Sequence, residues 1–188
     1  MTSKARGRTD ARAQRTRSSL TRALIALVPE RGLDEVRVGE LARRAGVGRS
    51  TFYAHYASKS DFLTASFVGM ISACEAAAAV AGRERTDVLP SRQLFAHVRD
   101  AGGFATAFAR SQELPRMLAA AELKLRAIAE ANLAGGPRPP EERRAAAVFL
   151  AGGLVGMLRW WIETGLRQEP ERLHAAFAEF TRRTLNPG

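Results

Sequence analysis

Three features of the 188-residue chain predict an all-α fold. Apolar residues recur at spacings of three and four almost throughout, which is the period of a helix with one buried face. Little of the sequence alternates at period two, so strands are not expected. Hydrophobic residues make up 46% of the chain, which is enough to bury a core in one large domain or two small ones.

The first third of the sequence predicts three helices. The first begins near Thr16, a possible N-cap, and ends at Gly32, since glycine readily adopts the left-handed conformation that terminates helices. A short helix over 38–45 follows, then a turn over 46–48, then a third helix that ends near Tyr56. This pattern indicates a basic flexible arm over 1–15 and a three-helix domain over 16–60.

The remainder, residues 61–188, predicts a second helical domain. Ser58, with Asp61 three residues later, forms a capping pattern for a long fourth helix that joins the two domains. The Gly- and Pro-containing segments 82–90 and 135–140 interrupt the later helices. Four further helices are expected, over about 91–110, 113–134, 141–164 and 170–185. Gly102 and Gly103 should bend the first of these four.

The net charge of +10 lies mainly at one end of the chain. Residues 1–59 carry 13 Lys and Arg against five Asp and Glu, a net +8, whereas the rest carries 16 against 14, a net +2. Only the first third therefore has the charge expected of a surface that binds a polyanion. The basic segment from Lys4 to Arg17 is open to two interpretations, a solvated tail or an arm that follows the minor groove of DNA.

A helix-turn-helix pattern lies within the same basic segment. Such a unit needs a small residue where its helices cross, a turn residue that tolerates positive φ, and apolar residues that lock the helices together. These are supplied in order by Val38, Leu41, Ala42, Ala45, Gly46, Val47 and Phe52. The stretch VGELARRAGVGRSTFYAHYASKSDFL resembles the DNA-binding region of the TetR/AcrR family of bacterial regulators, and the close resemblance covers about residues 16–63. Beyond it, only the helix layout and the stretch LRWWIETG resemble the family.

The resemblance implies a sequence-specific transcriptional regulator, usually a repressor, that binds double-stranded operator DNA as a homodimer. The residues that it places on the DNA are Arg37, Arg49, Ser50, Thr51, Tyr53, His55 and Lys59. Arg49 is the candidate for reading a guanine edge, because its fork can donate two hydrogen bonds to O6 and N7. Tyr53, His55 and Lys59 are better suited to holding phosphates.

Some positions leave alternatives open or depart from the family pattern. Tyr53 and Tyr56 could pack in the core instead of facing DNA. Arg37 stands where the family usually has a hydroxyl residue that caps the second helix, so it would reach a phosphate by charge alone. Gly48 replaces a common Ser, and Ala54 stands where a basic residue is frequent, so fewer base contacts are expected.

Two apolar stripes on the last two helices predict a dimer interface. Their members are Leu150, Leu154, Met157, Trp161, Leu173, Phe177 and Phe180. Gly152, Gly153 and Gly156 would permit close approach of another helix, so that pairing across a two-fold axis would form a four-helix interface. The alternative is that these stripes are buried within one chain.

The middle helices carry apolar side chains that could line a pocket or fill a core. They are Phe67, Met70, Cys74, Phe95, His97, Phe104, Phe108 and Met117. The resemblance implies a pocket for a small, largely apolar effector, with His97 as a possible polar anchor. Considered one residue at a time, core packing is the better interpretation.

Other classes of function find little support in the sequence. There is no glycine-rich phosphate loop, Gly-x-Ser-x-Gly motif or metal-ligand spacing, so no catalysis, metal or cofactor is expected. The single cysteine, Cys74, cannot form an internal disulfide, which suits a reducing cytoplasm. Residues 1–17 lack a secretory pattern, and the longest apolar run, 145–158, is shorter than the roughly 20 residues that span a bilayer, so no membrane partner is expected.

The alternative function is a basic helical protein that binds RNA or a membrane surface.

Overall fold

The computed structural model describes residues 3–82 and 87–185, with side chains from residue 12 onward, and all the regular structure in these ranges is helical. The helices are α1 (Ser3–Arg31), α2 (Val38–Arg44), α3 (Arg49–His55), α4 (Lys59–Val80), α5 (Ser91–Ala109), α6 (Leu114–Asn132), α7 (Pro140–Glu163) and α8 (Pro170–Leu185). The predicted all-α fold is confirmed, and most predicted helix ends lie within two residues of those observed.

The start of α1 was predicted wrongly. The helix begins at Ser3, and Thr16 is buried in its interior rather than capping it. Residues 3–15 contain no proline but include three Ala, four Arg, one Lys and one Gln, all strong helix formers, so the helix continues toward the N-terminus. The segment predicted as a flexible arm is therefore helical from Ser3, while Met1 and Thr2 lie outside the described residues.

The first helical unit closes around a small apolar core. Leu20 and Leu24 of α1 pack with Leu41 of α2, Phe52 of α3 and Phe62 of α4, and all five side chains are buried. The end of α1 agrees with the sequence prediction, because Gly32 has φ +80° and its N–H donates to the carbonyl of Val28. The core thus fixes the helix-turn-helix against both α1 and the start of α4.

The second unit is a bundle in which α7 packs on α6 and α5, α6 also packs on α4, and α8 covers α5. Its core contains Phe95, Leu125, Leu154 and Trp161, and the ring of Phe95 meets that of Trp161 edge to face at 5.6 Å between centroids. The predicted bend in α5 is present at Gly102, where φ is 42° and ψ is −110°.

Two helices of the bundle, α4 and α7, are long and apolar enough by length and composition to cross a membrane. The core helix of a soluble protein meets the same criterion. In this fold α7 buries Leu150, Leu154 and Trp161 against its neighbours, as such a core helix does.

Candidate DNA-binding surface

The segment from α2 to α3 folds as a helix-turn-helix. Gly46 adopts φ +68°, as the turn requires, and the N–H of Val47 donates to the carbonyl of Ala42 at 3.0 Å. Leu41, Ala42 and Phe52 are buried beneath the turn and hold α3 at a fixed angle to α2. The outer face of α3 is thereby presented as a rigid surface.

That outer face carries most of the residues predicted to meet DNA. Arg49, Ser50, Tyr53 and His55 are exposed, and Thr51 is half-buried. Tyr53 keeps 50% of its surface exposed while its ring rests edge-on against Phe52, at 5.4 Å between centroids. Its hydroxyl end is therefore open to a partner, although its ring is supported from below.

Tyr56, unlike Tyr53, is buried. It is only 7% exposed, and its ring packs against Phe52 at 5.6 Å and Phe62 at 5.0 Å between centroids. The interpretation of Tyr56 as a core residue is confirmed.

Two arginines flank the beginning of α2. Arg37 is the N-cap residue, is exposed, and makes no side-chain capping hydrogen bond, so its guanidinium is not used to cap the helix. The side chain of Arg49 lies over Gly39, where an added Cβ would be 3.8 Å from Nε of Arg49. The Cβ would make an ordinary van der Waals contact, so Arg49 lies across α2 and remains exposed without depending on a glycine there.

Lys59 makes hydrogen bonds within the chain. Its ammonium donates to the carbonyl oxygens of Leu33, at 3.1 Å, and Asp34, at 2.9 Å. Two of its three protons are thus used within the chain, and the side chain ties the start of α4 to the loop between α1 and α2. One proton of the ammonium is left for a further acceptor, and a contact of Lys59 with a phosphate stays a prediction.

The predicted capping pattern at α4 is confirmed. The N–H of Asp61 donates to Oγ of Ser58 at 3.0 Å, and the carboxylate of Asp61 accepts from the N–H of Ala57 at 3.1 Å. These two hydrogen bonds tie the linker from α3 to α4 to the first turn of α4.

The residues predicted to line an effector pocket are divided between the two cores instead. Cys74 and Phe95 are buried in the bundle core, while Phe108 and Met117 are buried in the core of the first unit. Phe67 and Phe104 each stack on Phe108, and Met70 is half-buried against the bundle core. Burial raises the pKa of the Cys74 thiol to about 11, so it is not a reactive thiolate.

His97 is exposed, so it is not a buried anchor for a ligand. Its position on α5 places it outside the stripe that includes Leu94, Phe95 and Val98, which face the core. None of the eight predicted pocket residues lines the cavity of about 660 Å³ or the one of about 220 Å³ that the described part of the chain forms.

Most residues predicted for the dimer interface are buried within the chain. Five of the seven, Leu150, Leu154, Trp161, Leu173 and Phe177, belong to the bundle core; Met157 is half-buried and Phe180 is 54% exposed. The prediction selected the inward stripe, because a strongly apolar helix such as α7 shows two candidate faces and the sequence does not show which one faces its own domain.

A different apolar face of α7 is exposed. Phe149 is 62% exposed and Trp160 is 46% exposed, and Gly153 and Gly156 lie between them at helical spacing. A Cβ added to either glycine would meet nothing within 4 Å, so this stripe points away from the chain. We call Phe149, Gly153, Gly156 and Trp160, together with Val148 and Phe180, the outer face. The sequence did contain an indication of this face. Gly153 and Gly156 each lie one residue before a member of the predicted stripe, Leu154 and Met157, and so on a neighbouring face of the helix.

The geometry just described is that of a helix-turn-helix unit joined to a helical bundle, and comparison with known proteins agrees. Residues 20–65 match the family model described as bacterial regulatory proteins of the tetR family. The resemblance of the DNA-binding region to this family is confirmed. No curated protein shows a significant sequence match to the chain.

Solved structures share the fold over nearly the whole chain. A TetR transcriptional regulator from Rhodococcus sp. RHA1 is 20% identical, with 92% of this chain and 97% of that chain covered and a TM-score of 0.61. FadR from Bacillus subtilis, solved in complex with stearoyl-CoA, is 17% identical, with 90% and 99% covered and a TM-score of 0.61. NalD from Pseudomonas aeruginosa, the secondary repressor of a multidrug efflux pump, is 19% identical, with 92% and 98% covered and a TM-score of 0.51. The chain has the fold of a TetR-family transcriptional regulator.

Proposed function

We propose that this protein is a cytoplasmic, sequence-specific transcriptional repressor that binds a near-palindromic operator as a homodimer. The observation that carries the proposal is the outer surface of α3, where exposed polar side chains and Arg49 stand on a rigid, buried base at the basic end of the chain. A helix of this kind fits the major groove, and its side chains read base edges there. Repression is proposed because NalD, which shares the fold, is a repressor.

The homodimer is assigned to the outer face of α7 and α8. An apolar patch with two large aromatic side chains is costly to leave in water, and the glycines between them allow another helix to approach closely. A two-fold axis through this face would give each dimer two copies of α3, one for each operator half-site.

We further propose that a small, largely apolar molecule binds the helical bundle and lowers operator affinity. Support comes from FadR, which was solved with stearoyl-CoA bound, and from the hydrogen-bonded connection between α3 and α4. Phe67 and Phe104, which stack on Phe108, are among the side chains that would move apart to admit a ligand. A ligand that binds the opened bundle more tightly shifts the population toward that form. In that form the two copies of α3 in the dimer would no longer be spaced to fit both operator half-sites.

Substitution of two arginines tests the DNA-binding assignment. Arg49→Ala should cost about 1–3 kcal/mol of binding to the preferred site and relax selectivity at one base pair, because the bidentate contact to guanine is lost. Arg37→Ala should weaken binding to all duplexes equally, because a phosphate contact carries no sequence information. The measurement is the affinity of each variant for a panel of single-base changes in a selected operator.

Arg172→Ala, which removes an exposed arginine of α8 outside the helix-turn-helix, is the control and should leave affinity close to that of the parent protein. The same pattern of loss for Arg49→Ala and Arg37→Ala across the panel would contradict the assignment of one to reading and the other to holding.

A further inference from the structure

A groove of about 660 Å³ lies at the junction of the two helical units. One wall is the end of α1 and the following loop, including Val28, Pro29 and Leu33. The other wall is the part of α5 beyond its break, including Thr106 and Ala107. The volume lies within the range of pockets that hold small molecules.

Charged side chains of both signs line the groove. Asp34 and Glu35 line the groove on the side of the first unit, and Arg110 lines it on the α5 side. Glu35 and Arg110 are exposed, and neither forms an ion pair or side-chain hydrogen bond within the described ranges. Arg31, which also lines the groove, is already paired with Glu40 at 3.2 Å. The groove therefore offers an unpaired carboxylate on one wall and an unpaired guanidinium on the other.

A buried hydroxyl adds a second polar feature. Ser111 lines the groove and is only 8% exposed, yet its Oγ has no hydrogen-bond partner in the part of the chain that the structure describes. Buried hydroxyls in folded proteins are normally paired, and an unpaired one calls for a ligand, a water molecule or a functional explanation. Ser111 stands beside Arg110, so both groups could serve the same anionic group after a rotation of the serine side chain.

From these features we infer that the groove is a binding site for a small zwitterion, with an ammonium group toward Glu35 and Asp34, a carboxylate toward Arg110 and Ser111, and an apolar body between them. The apolar body would lie on Pro29 and Ala107, since Val28 borders the groove but is only 1% exposed.

The groove lies beside the hydrogen bonds that join the two helical units, so a bound ligand would affect these contacts. Asp34 accepts a hydrogen bond from the backbone N–H of Gln112 at 3.3 Å, and the neighbouring Glu113 accepts one from Ser60 at 2.5 Å. An ammonium group that attracts the carboxylate of Asp34 would compete with Gln112. This regulatory consequence rests on the proposed function, whereas binding in the groove does not.

Three matched probes test the inference on the full-length protein without DNA: 6-aminohexanoate, hexylamine and hexanoate. Binding is followed by amide NMR shifts, which should saturate at Gly32, Gly103 and Thr106. Glu35→Gln should weaken both ammonium-bearing probes by about two- to fivefold and leave hexanoate unchanged, as expected for an exposed ion pair. Arg110→Gln should weaken 6-aminohexanoate and hexanoate by a similar factor and leave hexylamine unchanged.

Gly103→Leu supplies a variant that blocks the groove. Gly103 lines the cavity, and a Cβ there would meet nothing within 4 Å, so the leucine side chain would start in open space at the groove. All three probes should lose binding in this variant, while Ala119→Leu, at an exposed position on α6, should behave as the parent protein. Shifts confined to other residues, unchanged binding in Gly103→Leu, or equal losses for all probes in both charge variants would overturn the inference.

A last experiment distinguishes failure of this binding site from failure of the proposed function. If operator binding exists, 6-aminohexanoate at saturation should change operator affinity in the parent protein and not in Gly103→Leu. Groove binding with no operator binding would refute the proposed function alone, and operator binding with no probe shifts at the groove would refute this site alone.

Discussion

Phe149→Asp combined with Trp160→Asp is expected to yield a folded monomer that has lost operator binding. Both side chains are exposed on the free chain, so the substitutions leave the core intact. In the proposed dimer they would place unpaired charges in an apolar interface, which costs several kcal/mol. Sedimentation velocity gives the mass, circular dichroism the helix content, and titration with operator DNA the affinity.

Two controls make this expectation specific. Leu123→Asp changes a leucine on α6 that is 59% exposed and lies outside the outer face, so the dimer should persist. Leu154→Asp changes a side chain with 0% exposure in the bundle core, so it should unfold the chain rather than dissociate it. A double variant that remains a dimer, or a folded monomeric Leu154→Asp, would show that the outer face is wrongly assigned.

The second large effect is expected in the core beneath the reading helix. Phe52 is completely buried and touches the rings of Tyr56 and Phe62, so Phe52→Ala should lower the free energy of unfolding by about 3–5 kcal/mol. For a domain of ordinary stability this is a large fraction of the total. Operator binding should fall with it, since α3 would lose its support. Denaturant unfolding measures the first effect.

Tyr53→Ala is the matched control on the same helix. Tyr53 is half exposed, so its loss should change the free energy of unfolding by no more than about 0.5 kcal/mol while still weakening operator binding. Equal destabilisation by the two substitutions would contradict the division of α3 into a buried base and an exposed reading surface.

Local sequence patterns predicted the helices well because each depends on nearby residues. Gly32 and Gly46 adopt the positive φ that their positions indicated, and Ser58 caps α4 as expected. The early start of α1 was missed because a flexible arm was inferred from charge, whereas Ala, Arg and Gln also favour helix.

Burial at the site depends on contacts between distant segments, which a single helical period does not show. Leu154 and Phe149 lie on neighbouring faces of α7, and only the packing of α5, α6 and α8 determines that Leu154 faces inward. Lys59 was assigned to phosphate because its charge was visible in the sequence, but the carbonyls of Leu33 and Asp34 that hold it were not. The groove beside Arg110 brings residues about 28–35 next to 103–111, a pairing that no local pattern reveals.

Titration of the protein with a selected operator and with random duplex, across a series of salt concentrations, tests the central claim most directly. If each subunit neutralises about four phosphates, log K should fall against log salt with a slope of roughly −7 for the operator. The operator should also bind at least ~10³-fold more tightly than random duplex at physiological salt. A shallow slope, or equal affinity for the two duplexes, would contradict sequence-specific DNA binding by this protein.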